Sequence, residues 1–125
     1  MAVLESGENY LEAILMASNV KKDVHAIDIV NMLNFSKPSV SVMLKKLRDD
    51  GYIEIDDNQH LHLTKKGLAI AKKIYERHEI LTKILIAIGL DEDVAEDDAC
   101  KIEHDLCDET FEAIKNYYNS KMKND

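Results

Sequence analysis

The chain has 125 residues, 46% of them hydrophobic and 32% charged, enough for one domain or two small ones with a buried core. No apolar run approaches the length of a membrane span, and the opening "MAVLESGENY" has neither the basic flank nor the apolar core of a signal peptide, so the chain reads as cytoplasmic with no membrane partner. A net charge of −8 argues at first against nucleic acid, but residues 1–75 balance ten basic against ten acidic residues, whereas 76–125 hold six against fourteen. The two halves are therefore expected to have different partners.

Residues 5–18 space Tyr10, Leu11, Ile14 and Leu15 as one helical face, with Glu5, Glu8, Asn9 and Glu12 on the other. "VHAIDIVNMLN" is a short second helix whose apolar positions are Ile27, Val30, Met32 and Leu33. A third follows over 36–50: Ser36 caps it, Pro38 sits in the first turn, Gly51 closes it, and Val40, Met43, Leu44 and Leu47 form its buried stripe. "YIEIDDNQHLHL" alternates Ile53 and Ile55, then Leu61 and Leu63, about the polar turn "DDNQ", a two-stranded hairpin. Thr64 caps a long helix running to about Leu90, and residues 92–107 and 108–120, the latter capped by Asp108, read as two more helices.

Two short helices tightly joined and followed by a hairpin make a winged helix-turn-helix, in which the second helix of the pair enters the major groove of DNA. Off its apolar stripe that helix carries Ser36, Lys37, Ser39, Ser41, Val42, Lys45, Lys46 and Arg48. Hydroxyls and cations suit phosphates and base edges, and Val42 suits a thymine methyl. A winged helix used for protein contacts is the alternative. His60 and His62 alternate on one face of the wing, which we read as an exposed surface or DNA-contact face rather than a metal pair. The fold class expected is mainly α: a winged helix-turn-helix with a two-stranded wing over 1–64, then a long linker helix and helical region over 65–125. Apolar residues from Ile80 to Ile88, with Ile102, Leu106, Phe111 and Ile114, exceed what a three-helix reader needs, so part of that surface is expected to pair two copies of the chain.

"ACKIEHDLC", residues 99–107, sets Cys100, Glu103, His104 and Cys107 within about a 100° arc of a helix, beside the apolar residues Ala99, Ile102 and Leu106. A carboxylate alone suits hard ions; a thiolate and an imidazole beside it shift the preference toward divalent iron, cobalt, nickel or zinc. The competing reading is an ordinary packed helix with a small buried cysteine and solvated charges. Cys100 and Cys107, seven apart on one helix, would lie about 10 Å apart, beyond disulfide reach. For Cys107 a core position is expected, ahead of a ligand or a redox-sensitive thiol.

The order of these elements resembles the diphtheria toxin repressor family of metal-dependent transcriptional repressors, including its manganese-sensing branch. The resemblance runs through "ENYLEAI", "FSKPSVSVMLKKLRDDGYI", "LHLTKKGLAIAKKIYERHEILTKIL" and "IGLDEDVAEDDACKIEHDLCDE", in register along nearly the whole chain, with Ala-Cys-x-x-Glu-His the most specific piece. It implies Cys100, Glu103 and His104 as primary metal ligands of the iron-responsive branch, His78 as the long-helix histidine of both branches, and Glu12 as a first-helix carboxylate of the manganese branch. Asn9 falls where the iron branch has a methionine and the manganese branch an aspartate. Glu96 falls where the iron branch has an ancillary histidine, Glu79 is a further candidate oxygen donor, and Thr82 replaces an iron-branch glutamate.

The function so implied is a homodimeric repressor that senses Fe²⁺ or Mn²⁺, with Co²⁺, Ni²⁺ or Zn²⁺ as substitutes. It would bind a double-stranded DNA operator and control metal-homeostasis genes. The iron branch commonly adds a barrel-like third domain, for which this chain leaves no room, as in a short type or a truncated sequence. Metal is expected to fix the reading head in the spacing that paired half-sites require, a linkage between metal and DNA binding. A metal-independent winged-helix regulator is the alternative. A small metal enzyme is disfavoured, because no phosphate loop and no nucleophile–base motif is present.

Overall fold

The computed structural model describes residues 5–122 and divides into two compact units, 1–73 and 74–125. The division falls inside the long helix, nine residues beyond the one expected from the sequence. The elements are α1 (Glu5–Val20), α2 (Ala26–Leu33), α3 (Lys37–Asp49), β1 (Ile53–Ile55), β2 (Leu61–Leu63), α4 (Lys65–Ala87), α5 (Glu92–Ile102) and α6 (Asp108–Tyr117), the last running into a π-helical turn over 118–122. Among the described residues no helix is long and apolar enough to cross a membrane.

The first unit is a winged helix-turn-helix. Tyr10, Leu11 and Ile14 of α1 close over Ile29 of α2 and over Val40, Leu44 and Leu47 of α3, with Ile53 and Leu61 from the hairpin and Ala71 from α4. On α2 the buried residue is Ile29, which sequence periodicity passed over; Ile27 and Met32, expected inside, are exposed. Eight residues make barely two turns, so a shift of the apolar stripe by two positions is hard to see in so short a window.

Ser36 caps α3 as expected, its hydroxyl accepting from the Ser39 amide at 3.3 Å. The helix ends at Gly51, whose φ of +84° lets its own amide reach Arg48 O and the Tyr52 amide reach Leu47 O, a left-handed close that a Cβ disfavours. The hairpin pairs Ile53 with Leu63 and Ile55 with Leu61 in antiparallel register, and the Leu61 amide donates to Val24 O, tying the wing to the segment before α2. Thr64 accepts from the Gly67 amide at 3.1 Å and donates to Gly51 O at 2.7 Å, joining the start of α4 to the end of α3. At Gly67 the helix passes so close to the Tyr52 carbonyl that a Cβ would collide with its oxygen.

In the second unit Ile74, Ile80 and Leu81 of α4, Ala95 and Ala99 of α5 and Phe111 of α6 are buried. Helix α4 ends at Ala87, short of the expected Leu90, because Gly89 turns the chain with φ +111°. Helix α5 starts on Asp91, which accepts from the Asp93 amide, and ends at Ile102, five residues before the sequence expectation. The chain turns over 103–105, and α6 begins with Cys107, not Asp108, as its N-cap.

Candidate metal centre and nucleic-acid interface

Within the second unit, the Cys100 Sγ, a Glu103 carboxylate oxygen and a His104 ring nitrogen lie within 4.8 Å of one another. Cys100 sits in the last turn of α5. Glu103 is its C-cap and keeps helical dihedrals (φ −58°, ψ −26°), its amide donating to Ala99 O. Helical spacing therefore survives through the cap and sets the two side chains on one face. His104 follows in the turn with its side chain 1% exposed. From α4, His78 brings Nδ1 to 2.9 Å from Glu103 Oε2.

The Glu103 carboxylate is fully buried, yet Oε1 has no hydrogen-bond partner, the His104 Nε2 standing 3.4 Å away. A buried carboxylate is costly unless it is fully hydrogen-bonded or coordinates a cation. A thiol and an imidazole beside this carboxylate, with the His78 imidazole on its other oxygen, are a donor set that fits a divalent transition metal. Glu79 and Glu96 are exposed and do not belong to this group of donors. Asn9 and Glu12 lie three residues apart on α1, Asn9 partly buried and Glu12 buried.

Cys107 departs from the sequence expectation twice. It is exposed rather than packed, and it has left the α5 stripe, because the helix stops before it. Its thiol pairs with Thr110 Oγ1 at 3.2 Å. That bond and the amides at the start of α6 hold the thiol below its ordinary pKa.

A residue that sequence reasoning missed is Arg77, beside His78 and 3% exposed. Its Nη1 donates to Glu103 O at 3.0 Å and to Leu106 O at 2.6 Å, and its Nη2 to Asp108 Oδ1 at 2.8 Å. The signal was available: Ile74, Arg77 and Leu81 share one face of α4 at helical spacing.

In the first unit, all eight side chains expected to face DNA are exposed: Ser36, Lys37, Ser39, Ser41, Val42, Lys45, Lys46 and Arg48. Val42, a large apolar residue 69% exposed in the middle of α3, has no folding reason to be there. On the wing, His62 fits the expected exposed face but His60 does not. The His60 ring is partly buried between Asp23 and Asp56, at 3.6 and 3.5 Å, with the His25 ring edge-on to it. His62 Nε2 meets Asp56 at 2.9 Å. That hydrogen bond, followed by the His60 and Asn58 amides, holds the Asp56 carboxyl down at about 2.

Comparison with known proteins bears on both units. Residues 3–61 match the family model described as the iron dependent repressor N-terminal DNA binding domain, and 64–124 the iron dependent repressor metal binding and dimerisation domain. An uncharacterised HTH-type transcriptional regulator of Methanocaldococcus jannaschii is 36% identical over 113 residues, covering 89% of this chain and 90% of that one. The HTH-type transcriptional regulator MntR of Bacillus subtilis is 38% identical over 101 residues, covering 81% of this chain and 71% of that one. Among solved structures, the manganese regulator SloR superposes with a TM-score of 0.81 at 27% identity, over 95% of this chain. The chain spans only about half of that structure, 55% of its length.

Proposed function

The chain belongs to the iron-dependent repressor family of metal-dependent transcriptional regulators, and on that premise we propose that it acts in the cytoplasm as a homodimeric repressor, not a catalyst. It senses Fe²⁺ or Mn²⁺ and controls metal-homeostasis genes. The observation that carries the metal reading is the buried Glu103 carboxylate, with Oε1 lacking a hydrogen bond beside Cys100 and His104. Cys100, Glu103, His104 and His78 are the proposed ligands, and Glu12 with Asn9 are added from the resemblance of their segment. Bound there, a divalent cation supplies the positive charge that the converging donors lack. The Cys100 thiol must lose its proton to serve as a ligand, so affinity falls in acid. Its sulfur favours Fe²⁺ over Mn²⁺, while relatives described as manganese regulators keep Mn²⁺ in the test.

Helix α3 is the proposed reading helix, with Lys45, Lys46 and Arg48 on phosphates and Ser39, Ser41 and Val42 toward base edges. The two activities are linked: the state that binds metal more tightly is the state that binds DNA more tightly.

The test starts from the metal-free, reduced chain, titrated anaerobically with Mn²⁺, Fe²⁺, Co²⁺, Zn²⁺ and Mg²⁺ beside the Glu103→Ala/His104→Ala double variant. A rise in melting temperature with a transition metal, absent in the variant, is expected. Duplexes are then selected with and without the best metal, and Lys45→Ala should weaken all of them alike and flatten the salt dependence by about one unit of slope. No shift with any metal overturns the sensor and leaves a winged-helix DNA-binding protein.

A further inference from the structure

The turn that follows helix α5 is held from outside its own segment. The helix ends at Ile102, whose carbonyl takes the Asp105 amide at 3.0 Å, and residues 103–107 are Glu-His-Asp-Leu-Cys, with neither glycine nor proline to turn the chain. Two carbonyls of that turn find their partner on α4, 26 and 29 residues away in sequence. The guanidinium of Arg77 takes Glu103 O and Leu106 O on one nitrogen and the Asp108 carboxylate on another, and stands 5.3 Å from the centre of the Phe111 ring. Only 4% of the Arg77 side chain is exposed, whereas Asp108 is 72% exposed.

We propose that Arg77 is a positioning residue for the metal centre: it fixes the backbone of the ligand-bearing turn, while its neighbour His78 holds the Glu103 side chain. This rests on the metal reading above. One dipeptide of α4 thus holds Glu103 twice, at its carbonyl oxygen and at Oε2. The turn it fixes carries His104 and leads directly into α6. An arginine suits the place because its planar fork reaches several acceptors in fixed directions while keeping its charge, where a lysine offers a single point. Groups behind the ligands commonly change metal affinity by about 10- to 100-fold when removed.

The experiment compares the wild-type full chain with Arg77→Lys, Arg77→Gln, Asp108→Asn and Glu103→Ala. Co²⁺ is the probe, and its affinity is read together with the thiolate-to-metal absorption that reports whether Cys100 is engaged. Amide hydrogen exchange of the metal-free chains is followed at Glu103 and Asp105. Arg77→Lys should bind Co²⁺ about 10- to 100-fold more weakly with an altered absorption band, and Asp108→Asn should shift both in the same direction by less. Exchange at Glu103 and Asp105 should quicken beyond any change at Ile29, deep in the first unit. If Arg77→Gln fails to fold, the lysine variant and Asp108→Asn, altered at an exposed carboxylate, still decide. Wild-type affinity and spectrum in Arg77→Lys overturn the proposal. If wild type binds Co²⁺ no better than Glu103→Ala, the metal reading itself falls and the positioning role with it; unchanged exchange would also refute the grip on the turn.

Discussion

Replacing Glu103 by glutamine should raise the stability of the metal-free protein and abolish its response to metal. The Glu103 side chain is 0% exposed, accepts one hydrogen bond from His78 and leaves Oε1 without one. A buried polar atom left unsatisfied costs about 1–3 kcal/mol, more when it carries charge. Glutamine keeps the shape and an oxygen for His78, and its amide nitrogen can donate to His104 Nε2, which lies 3.4 Å from the present Oε1. The variant without metal should therefore be more stable by about 1–3 kcal/mol. With metal at a thousand times its dissociation constant, the wild type should gain about 4.1 kcal/mol and the variant close to nothing, so the order of stability inverts. Urea unfolding at one protein concentration, in chelator and then in metal excess, measures both differences. A variant less stable than wild type in chelator would refute the reasoning, because it would show that the carboxylate is held by the protein alone and does not await a cation.

Two further outcomes concern the first unit. Asp56→Asn removes a carboxylate whose pKa is lowered from 3.8 to about 2, first by His62 and then by the backbone amides of His60 and Asn58. A lowered carboxylate stabilises the fold above its unfolded pKa and stops doing so as pH falls through its folded one. Wild type should exceed the variant just above pH 3.8, and the margin should close as pH falls toward about 2; urea unfolding across pH that showed it widening in acid would contradict this. Gly67→Ala drives a Cβ into the Tyr52 carbonyl, where backbone meets backbone and neither side can rotate away, so a loss of at least about 1–3 kcal/mol is expected. A neutral result by the same unfolding assay would mean that the two segments separate freely.

The first unit was legible because its signals are local. Ser36, Pro38 and Gly51 mark the bounds of α3 within the helix itself, and the alternation about "DDNQ" sets the hairpin register. What failed there failed through tertiary contact: Ile29 rather than Ile27 faces the core of so short a helix, and His60 turns inward because Asp23 and Asp56 receive it. In the second unit the structure brings Cys100, Glu103 and His104 together as the helical arc expects, but not Cys107, which the arc also held, because the helix stops at Ile102. The turn after α5 was not legible, because the group that donates to its Glu103 and Leu106 carbonyls stands on α4, at a position that local propensity reads as one more surface arginine.

Cys100 and Glu103 share a face although α5 ends at Ile102, and the reason is physical. A helix C-cap still has helical dihedrals, so Cys100 and Glu103 keep their i, i+3 relation even though hydrogen-bonded helix ends at Ile102. Had the helix run on to 107, Cys107 would have joined the same stripe and the turn would have had no reason to form. The break sends Cys107 to the surface at the head of α6 and leaves Glu103 and His104 inside. Ending the helix there separates one thiol from the other, so that Cys100 alone can share donors with Glu103 and His104. The ligand set proposed above, one thiolate, one carboxylate and imidazoles, is harder than a two-thiolate set and softer than an all-oxygen one.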